Sequence, residues 1–483
     1  MRKTIFAMFF LFVLTAFPQT LNLLNDNDCQ VLKLELDSLL TNKFFTSTQI
    51  SISAYDLTSN KTLYQKNENL LFKPASNLKL FTVSAALKFL GADYNFKTTI
   101  SYTGGILKGI LYGDLYVIGG CDPDFTVQNI DSLALMVKHF GINRITGNVY
   151  GDVSMMDSLF WGKGWMWDDD PSTDAPYLTP LCINKNSVDI IVKPSVVDSP
   201  PLIQLIPKSD YIKIENDAFT VAADSENTIS VSRDWLERKN TIKIDGIIKS
   251  NFLSDSLADT VRVNIFKPEL LFLDLFKNSL IKNGVEIKGI SKIKNAPFFV
   301  QNLLEIDRPI KSILPGLIKN SDNLDAEMLL YALSANFFGK PATAQNGVKM
   351  EDSLITILGF NPLNYKIVDG SGVSHYNLIS TNLIISLLKY IYFEQPEIYK
   401  LVYTSLPVAG VDGTLKNRMV GTSAQNNVHA KTGTLSGVSC LSGYLHNNDG
   451  HLIAFSIMIQ NFVGNSSLAQ SFQDAICNFL INQ

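Results

Sequence analysis

The most reactive arrangement in this 483-residue chain is a serine three residues ahead of a lysine where an apolar helix should begin, Ser76-Asn77-Leu78-Lys79. A hydroxyl is a poor nucleophile until a neighbouring base takes its proton, and a lysine at i+3 puts its amine on the serine's face of the helix. Lysine can be that base only if its ordinary pKa, about 10.4, falls toward neutrality. Burial and a second cation both push that way. Two further strings supply the rest of an acyl-transfer site. Ser321-Asp322-Asn323 offers a hydroxyl that can relay a proton and an amide that can hold the lysine or a substrate carbonyl. Lys431-Thr432-Gly433-Thr434 offers the second cation, hydroxyls suited to a carboxylate, and a glycine that leaves room for substrate against a strand edge. An unpaired N–H of that edge can join the Ser76 N–H in stabilising an oxyanion.

Each string alone is weak. Ser-x-x-Lys recurs at Ser279, Ser291 and Ser386, and Ser-x-Asn at Ser225, Ser334 and Ser380. Each also has a plain reading: a lysine reaching from a buried helix to water, a helix cap at Ser321 or Asp322 with Glu327 in the next turn, a glycine-containing turn. Lys-Thr-Gly occurs once, however, and Ser76 is the one Ser-x-x-Lys serine that follows a Pro-Ala helix start with an apolar run behind it. Capping and catalysis can share the Ser321–Asn323 string.

The elements that must position these residues come from both ends of the chain. Gln49 to Tyr55 alternates as a half-buried strand, and Thr62 to Gln65 is a second one. From Leu78 to Leu90 the apolar residues cover nearly the whole helix surface, which marks a buried helix, ended at Gly91. Helices are expected over Pro268–Asn283 and Leu324–Phe338, a strand over Leu452–Gln460 and a closing helix over Ser471–Leu480. Residues 98–278 differ in texture, with short alternating strands such as Leu115–Ile118 and Asp189–Lys193 between polar turns. They are expected to form an inserted, mainly β region of one domain or two small ones. It interrupts a discontinuous catalytic domain made of residues 21–97 and 279–483.

Composition excludes several functions. A formal charge of −4 from 41 basic and 45 acidic residues gives no basic stripe for a phosphate backbone, so nucleic acid is not an expected partner. The five histidines and five cysteines form no metal-binding spacing, so neither a metal nor another cofactor is expected. Cys29, Cys121, Cys182, Cys440 and Cys477 are read as buried thiols. Arg2 and Lys3 ahead of an apolar run to Phe17 predict a secretory signal over residues 1–20, and no later segment predicts a stable membrane anchor once it is cleaved.

Beyond the three strings, the chain resembles the class C low-molecular-mass penicillin-binding proteins, the D-alanyl-D-alanine carboxypeptidases/endopeptidases of the bacterial periplasm. The resemblance runs from about Ile50 to the end. It includes Phe72–Lys79 (FKPASNLK), Gly113–Pro123 (GDLYVIGGCDP), Gly164–Asp169 (GWMWDD), Lys319–Leu330 (KNSDNLDAEMLL), Asp369–Ser380 (DGSGVSHYNLIS), Leu406–Met419 (LPVAGVDGTLKNRM) and Ala430–Leu445 (AKTGTLSGVSCLSGYL). It implies a multidomain α/β (α+β) protein with a β-lactamase-like catalytic domain and inserted extra domains. It also implies action on peptidoglycan stem peptides through an acyl-enzyme, inhibition by β-lactam antibiotics, and a periplasmic location. In this resemblance Ser76 forms the acyl-enzyme, Lys79 activates it, and Ser321 and Asn323 complete the relay. Lys431, Thr432 and Thr434 bind the terminal carboxylate, the N–H groups of Ser76 and Thr434 form the oxyanion hole, and Asp168 or Asp169 meets the amino end of the peptide's diamino acid. Two departures stand out. His375 occupies a position where the family commonly has arginine, and Pro171-Ser172-Thr173-Asp174 lacks the family's aromatic residue.

Two other readings compete. A serine β-lactamase shares the three strings, but no Glu-x-x-Leu-Asn string lies between Ser76 and Ser321, and the long insertion is foreign to the class that carries it. A non-catalytic cell-wall sensor could keep the fold and the acylating serine without turnover.

Overall fold

The computed structural model describes residues 26–250 and 259–483; the expected signal segment lies outside them. One five-stranded antiparallel sheet draws on both ends of the chain, as expected. Its order is Lys61–Lys66, Gln49–Asp56, Leu452–Gln460, Val438–His446 and His429–Leu435. The Leu452–Gln460 strand is buried throughout and shows why the sheet must be covered on both faces. Ile453, Phe455, Ile457 and Ile459 pack in one apolar cluster with the helices Asp26–Leu39 and Ser467–Ile481, while Leu452, Ala454 and Met458 join another on the opposite face.

That second cluster contains the helix Lys79–Phe89, buried from Lys79 to Leu87. Helices Asn323–Phe338, Ala344–Ile357 and Pro396–Ser405 surround it, and Thr381–Glu394 lies on the two central strands. A helix apolar on all sides needs such a jacket, because each of its faces must be removed from water.

The insert leaves this unit earlier, and returns later, than the composition suggested. Asn95–Tyr102 pairs antiparallel with Gln301–Pro309, at the edge of a five-stranded sheet that also holds Leu115–Ile118, Val149–Asp152 and Ser291–Ile293. The expected boundary at 278 falls inside helix Pro268–Lys282, whose Leu271, Phe272, Phe276 and Leu280 are buried in the insert's own core against helix Val127–His139. Arg308, on the returning strand, donates to both oxygens of the buried Asp122 at 2.7 and 2.9 Å. Smaller sheets, among them those built around Ser187–Lys193 and Thr241–Asp245, make up the rest of the insert's strands. Cys121, Cys182, Cys440 and Cys477 are buried free thiols. Among the described residues no helix is long and apolar enough to cross a membrane.

Candidate active site

Ser76 lies in a 3₁₀ turn, Ala75–Leu78, that runs directly into the buried helix at Lys79. In such a turn residues three apart eclipse one another, so Lys79 stands under Ser76. Ala75 enters the turn at φ 46°, a left-handed conformation that a side-chain-bearing residue adopts only when its surroundings impose it. Asn77 fixes the turn to the sheet by donating to Ser442 Oγ at 2.7 Å. Gly433 closes the other side. A Cβ there would lie 2.9 Å from Pro74 O and 3.0 Å from Ser76 N, so this glycine lets the His429–Leu435 edge strand press against the Ser76 turn itself.

The lysine amine is fully buried with three partners: Ser76 Oγ at 2.9 Å, Asn323 Oδ1 at 2.5 Å and the carbonyl of Ser371 at 2.7 Å. As an ammonium it satisfies all three. Asn323 and Ser371 present acceptors only, since the Asn323 amide nitrogen is occupied in donating to Asp174 O at 2.5 Å. A neutral Lys79 therefore keeps its two N–H groups on them and turns its lone pair to the one partner with a proton to give, the Ser76 hydroxyl. Burial lowers the Lys79 pKa to about 8 against the pull of Asp369, Glu327, Asp322 and Asp174. Of the two expected causes, burial is the one that lowers Lys79; Lys431 does not figure among the causes at Lys79. The repulsion between the two cations shows at Lys431, driven well below its usual value by its own burial and by Lys79.

Ser321 adopts φ 65° and accepts from Lys431 Nζ at 2.8 Å. Lys431 also donates to Thr432 O at 2.9 Å and is fully buried, so it stands behind Ser321 instead of lining the cleft. The cleft itself, about 640 Å3, is lined by Ser76, Ser321, Asn323, Thr432, Gly433 and Thr434 on the catalytic side. Thr432 donates to Thr414 Oγ1 at 2.7 Å, which brings Thr414 to the same wall. The insert supplies the facing wall with Met166, Asp168, Asp169, Ser172 and Asp174, and His375 completes it. Asp168 is exposed, whereas Asp169 is half-buried and accepts from Met166 N at 2.8 Å. Burial and nearby Asp168 raise the Asp169 carboxyl, and burial with nearby Lys73 lowers His375.

Several functional positions escaped the sequence reading. Ser371 contributes a backbone carbonyl, which no side-chain motif reveals. The loop carrying it is held by Glu327, which accepts from the N–H groups of Gly370 (3.0 Å) and Ser371 (2.8 Å) instead of serving the helix cap. The cap is Asp322, accepting from Asp325 N at 3.0 Å. Asp369 anchors the same loop, taking donors from Gly372, Ser374 and Asn377 and from Trp165 of the insert. Asp174 was noticed only within a stretch lacking an aromatic.

A cleft serine paired with a buried lysine, a glycine-bearing edge strand and a sheet covered by helices on both faces, interrupted by an insert, define a penicillin-recognising serine peptidase. The D-Ala-D-Ala carboxypeptidase 3 (S13) family matches residues 32–483, and the chain belongs to that family as a serine-type D-Ala-D-Ala carboxypeptidase. It is 31% identical over 463 residues to the D-alanyl-D-alanine carboxypeptidase of Actinomadura sp. (strain R39), covering 92% of this chain and 83% of the relative. It is 27% identical to D-alanyl-D-alanine carboxypeptidase DacB of Haemophilus influenzae, covering 88% of each. Its fold matches the crystal structure of penicillin binding protein 4 (dacB) from Haemophilus influenzae with a TM-score of 0.81 at 24% identity, covering 93% of this chain and 99% of that one. A structure of that protein complexed with a β-lactam matches at 0.76.

Two outcomes follow from this geometry. Because only the neutral amine can accept the Ser76 proton, acylation by a β-lactam should rise with pH through about 8 and level off above it, measured by stopped-flow absorbance. Gly433→Ala should slow acylation at least about tenfold, since its methyl displaces the nucleophile turn, while the thermal unfolding midpoint changes little. An unchanged rate would mean that the strand and turn can separate freely.

Proposed function

We propose that this chain is an exported peptidoglycan DD-carboxypeptidase that also cuts DD cross-links, working through an acyl-enzyme at Ser76. The observation that carries the reading is the set of three partners around Lys79, which leaves its lone pair one proton to take. Ser76 Oγ attacks the carbonyl of the penultimate D-Ala as Lys79 takes the hydroxyl proton. Negative charge develops on the former carbonyl oxygen, opposite the N–H groups of Ser76 and Thr434. When the tetrahedral species collapses, the C–N bond breaks and the leaving amine takes a proton from the Ser321 hydroxyl. That hydroxyl regains the proton that Lys79 took from Ser76, leaving Lys79 neutral again, while Lys431 behind Ser321 holds the hydroxyl in place. Thr432 and Thr434 receive the substrate's terminal carboxylate, with the Lys431 charge one residue deeper. Water then attacks the ester, one of its protons passing to the neutral Lys79, which returns it to Ser76 Oγ as the second tetrahedral species collapses and the serine is freed.

The acidic wall of Asp168, Asp169 and Asp174 suits a cationic amine on the peptide's third residue, with Asp168 and Asp174 exposed and Asp169 half-buried. His375 offers no permanent charge to a carboxylate at that end. Periplasmic action accords with the expected signal, and sensitivity to β-lactams accords with the β-lactam complex of the Haemophilus influenzae relative.

Incubation with pentapeptide and with cross-linked muropeptides, read by mass spectrometry, should show loss of D-alanine and conversion of dimers to monomers. Prior treatment with penicillin should block both and add one equivalent of mass at Ser76. Labelling that survives Ser76→Ala would remove this serine from its role, and acylation without any peptide turnover would make the protein a sensor.

A further inference from the structure

Lys185 belongs to the insert, yet its amine sits on the catalytic machinery. It is the middle residue of Asn184–Asn186, three successive non-glycine residues with φ of 46°, 58° and 52°. A left-handed conformation is unfavourable for residues with a side chain, so this turn is held by what it contacts. Lys185 Nζ lies 2.5 Å from Asp124 Oδ1 of the insert and 3.4 Å from Asp322 Oδ2, and it pairs with Asp325 Oδ1. Asp322 and Asp325 form the first turn of the helix that begins with the Ser321–Asn323 string. Asp325 is fully buried, its Oδ2 has no partner among the described residues, and Gly316 packs against that oxygen so closely that a Cβ would lie 2.7 Å away. Burial and the neighbouring Asp322 and Asp124 drive the Asp325 carboxyl well up, and Lys185 opposes them. Among the described residues Lys185 is the one cation within ion-pair distance of these three carboxylates.

Two consequences meet at this amine. Ser321, immediately before Asp322, is held left-handed and receives Lys431, so a shift of Asp322 moves the relay hydroxyl and, on the other side, the Asn323 amide that holds Lys79. Asp322 is also one of the carboxylates that favour the charged form of Lys79, together with Asp369, Glu327 and Asp174, while Lys431 is the facing cation. We propose that Lys185 is a positioning residue supplied by the insert: it fixes the Ser321–Asn323 turn and cancels the charge of Asp322 beside Lys79. The insert is then part of the catalytic apparatus and not only a wall of the cleft. This rests on Lys79 being the base.

The test is the pH profile of penicillin acylation for the full chain and its variants. Lys185→Met should move the midpoint up by on the order of half a unit, which slows acylation about threefold below the midpoint. Lys185→Arg should restore the wild-type profile. In Lys185→Met/Asp322→Asn the midpoint should return, because asparagine still caps the helix but carries no charge. Should Lys185→Met not fold, Asp322→Asn alone decides: its midpoint should fall below that of the wild type. An unmoved midpoint in Lys185→Met or in Asp322→Asn, or a double variant as shifted as the single one, overturns the proposal. Acylation of the wild type with no inflection between about pH 7 and 9 would instead overturn Lys79 as the base, so the two failures are distinct.

Discussion

The constraint on which the rest of the structure depends is the desolvation of one amine. A lysine in water is protonated and useless as a base; Lys79 is brought near neutrality because it sits at the start of a helix with no face toward solvent. Burying an ammonium is costly, and that cost is what leaves the amine free to accept a proton near neutral pH. The structure offsets part of it with three acceptors arranged for the charged form. None of the three is a carboxylate in direct contact, which would have held the proton in place.

The surrounding architecture follows from this. The sheet, built from both ends of the chain, presents its edge strand so that Gly433 meets the serine turn from one side, while the Gly370–Gly372 loop meets it from the other. Glu327 and Asp369 hold that loop through its N–H groups, which places two carboxyl groups near the lysine; burial and Asp369 push the Glu327 carboxyl up to about 8. The insert supplies more than a substrate wall. Asp174 occupies the Asn323 amide, Trp165 donates to Asp369, and Lys185 pairs with the carboxylates beneath the Ser321 turn.

Much of this was legible in the sequence. The alternation of Gln49–Tyr55 and the apolar run of Leu452–Gln460 pointed to a sheet drawn from both ends, and side-chain chemistry pointed to Ser76, Lys79, Ser321, Asn323 and the Lys431–Thr434 string. What was hidden has physical reasons. The Ser371 carbonyl carries no side-chain signature. Glu327 matches a capping pattern by spacing, yet its direction is set by a loop more than forty residues away. The helix Pro268–Lys282 has the same periodicity whichever core it faces, so its membership in the insert could be read only from the burial of Phe272 and Phe276. The position of Lys431 behind Ser321, not beside substrate, is likewise a matter of which way an edge strand turns its side chains.

The most direct measurement of the central claim is a titration of the Lys79 amine itself, by NMR of selectively labelled lysine in the resting protein with Lys79→Arg as the assignment control. A resonance that titrates near 8, well below the other lysines, is what a buried amine with three neutral acceptors requires. A Lys79 resonance titrating at about 10 or above, as for an exposed lysine, would contradict the account, because the base would then carry its proton throughout the working range.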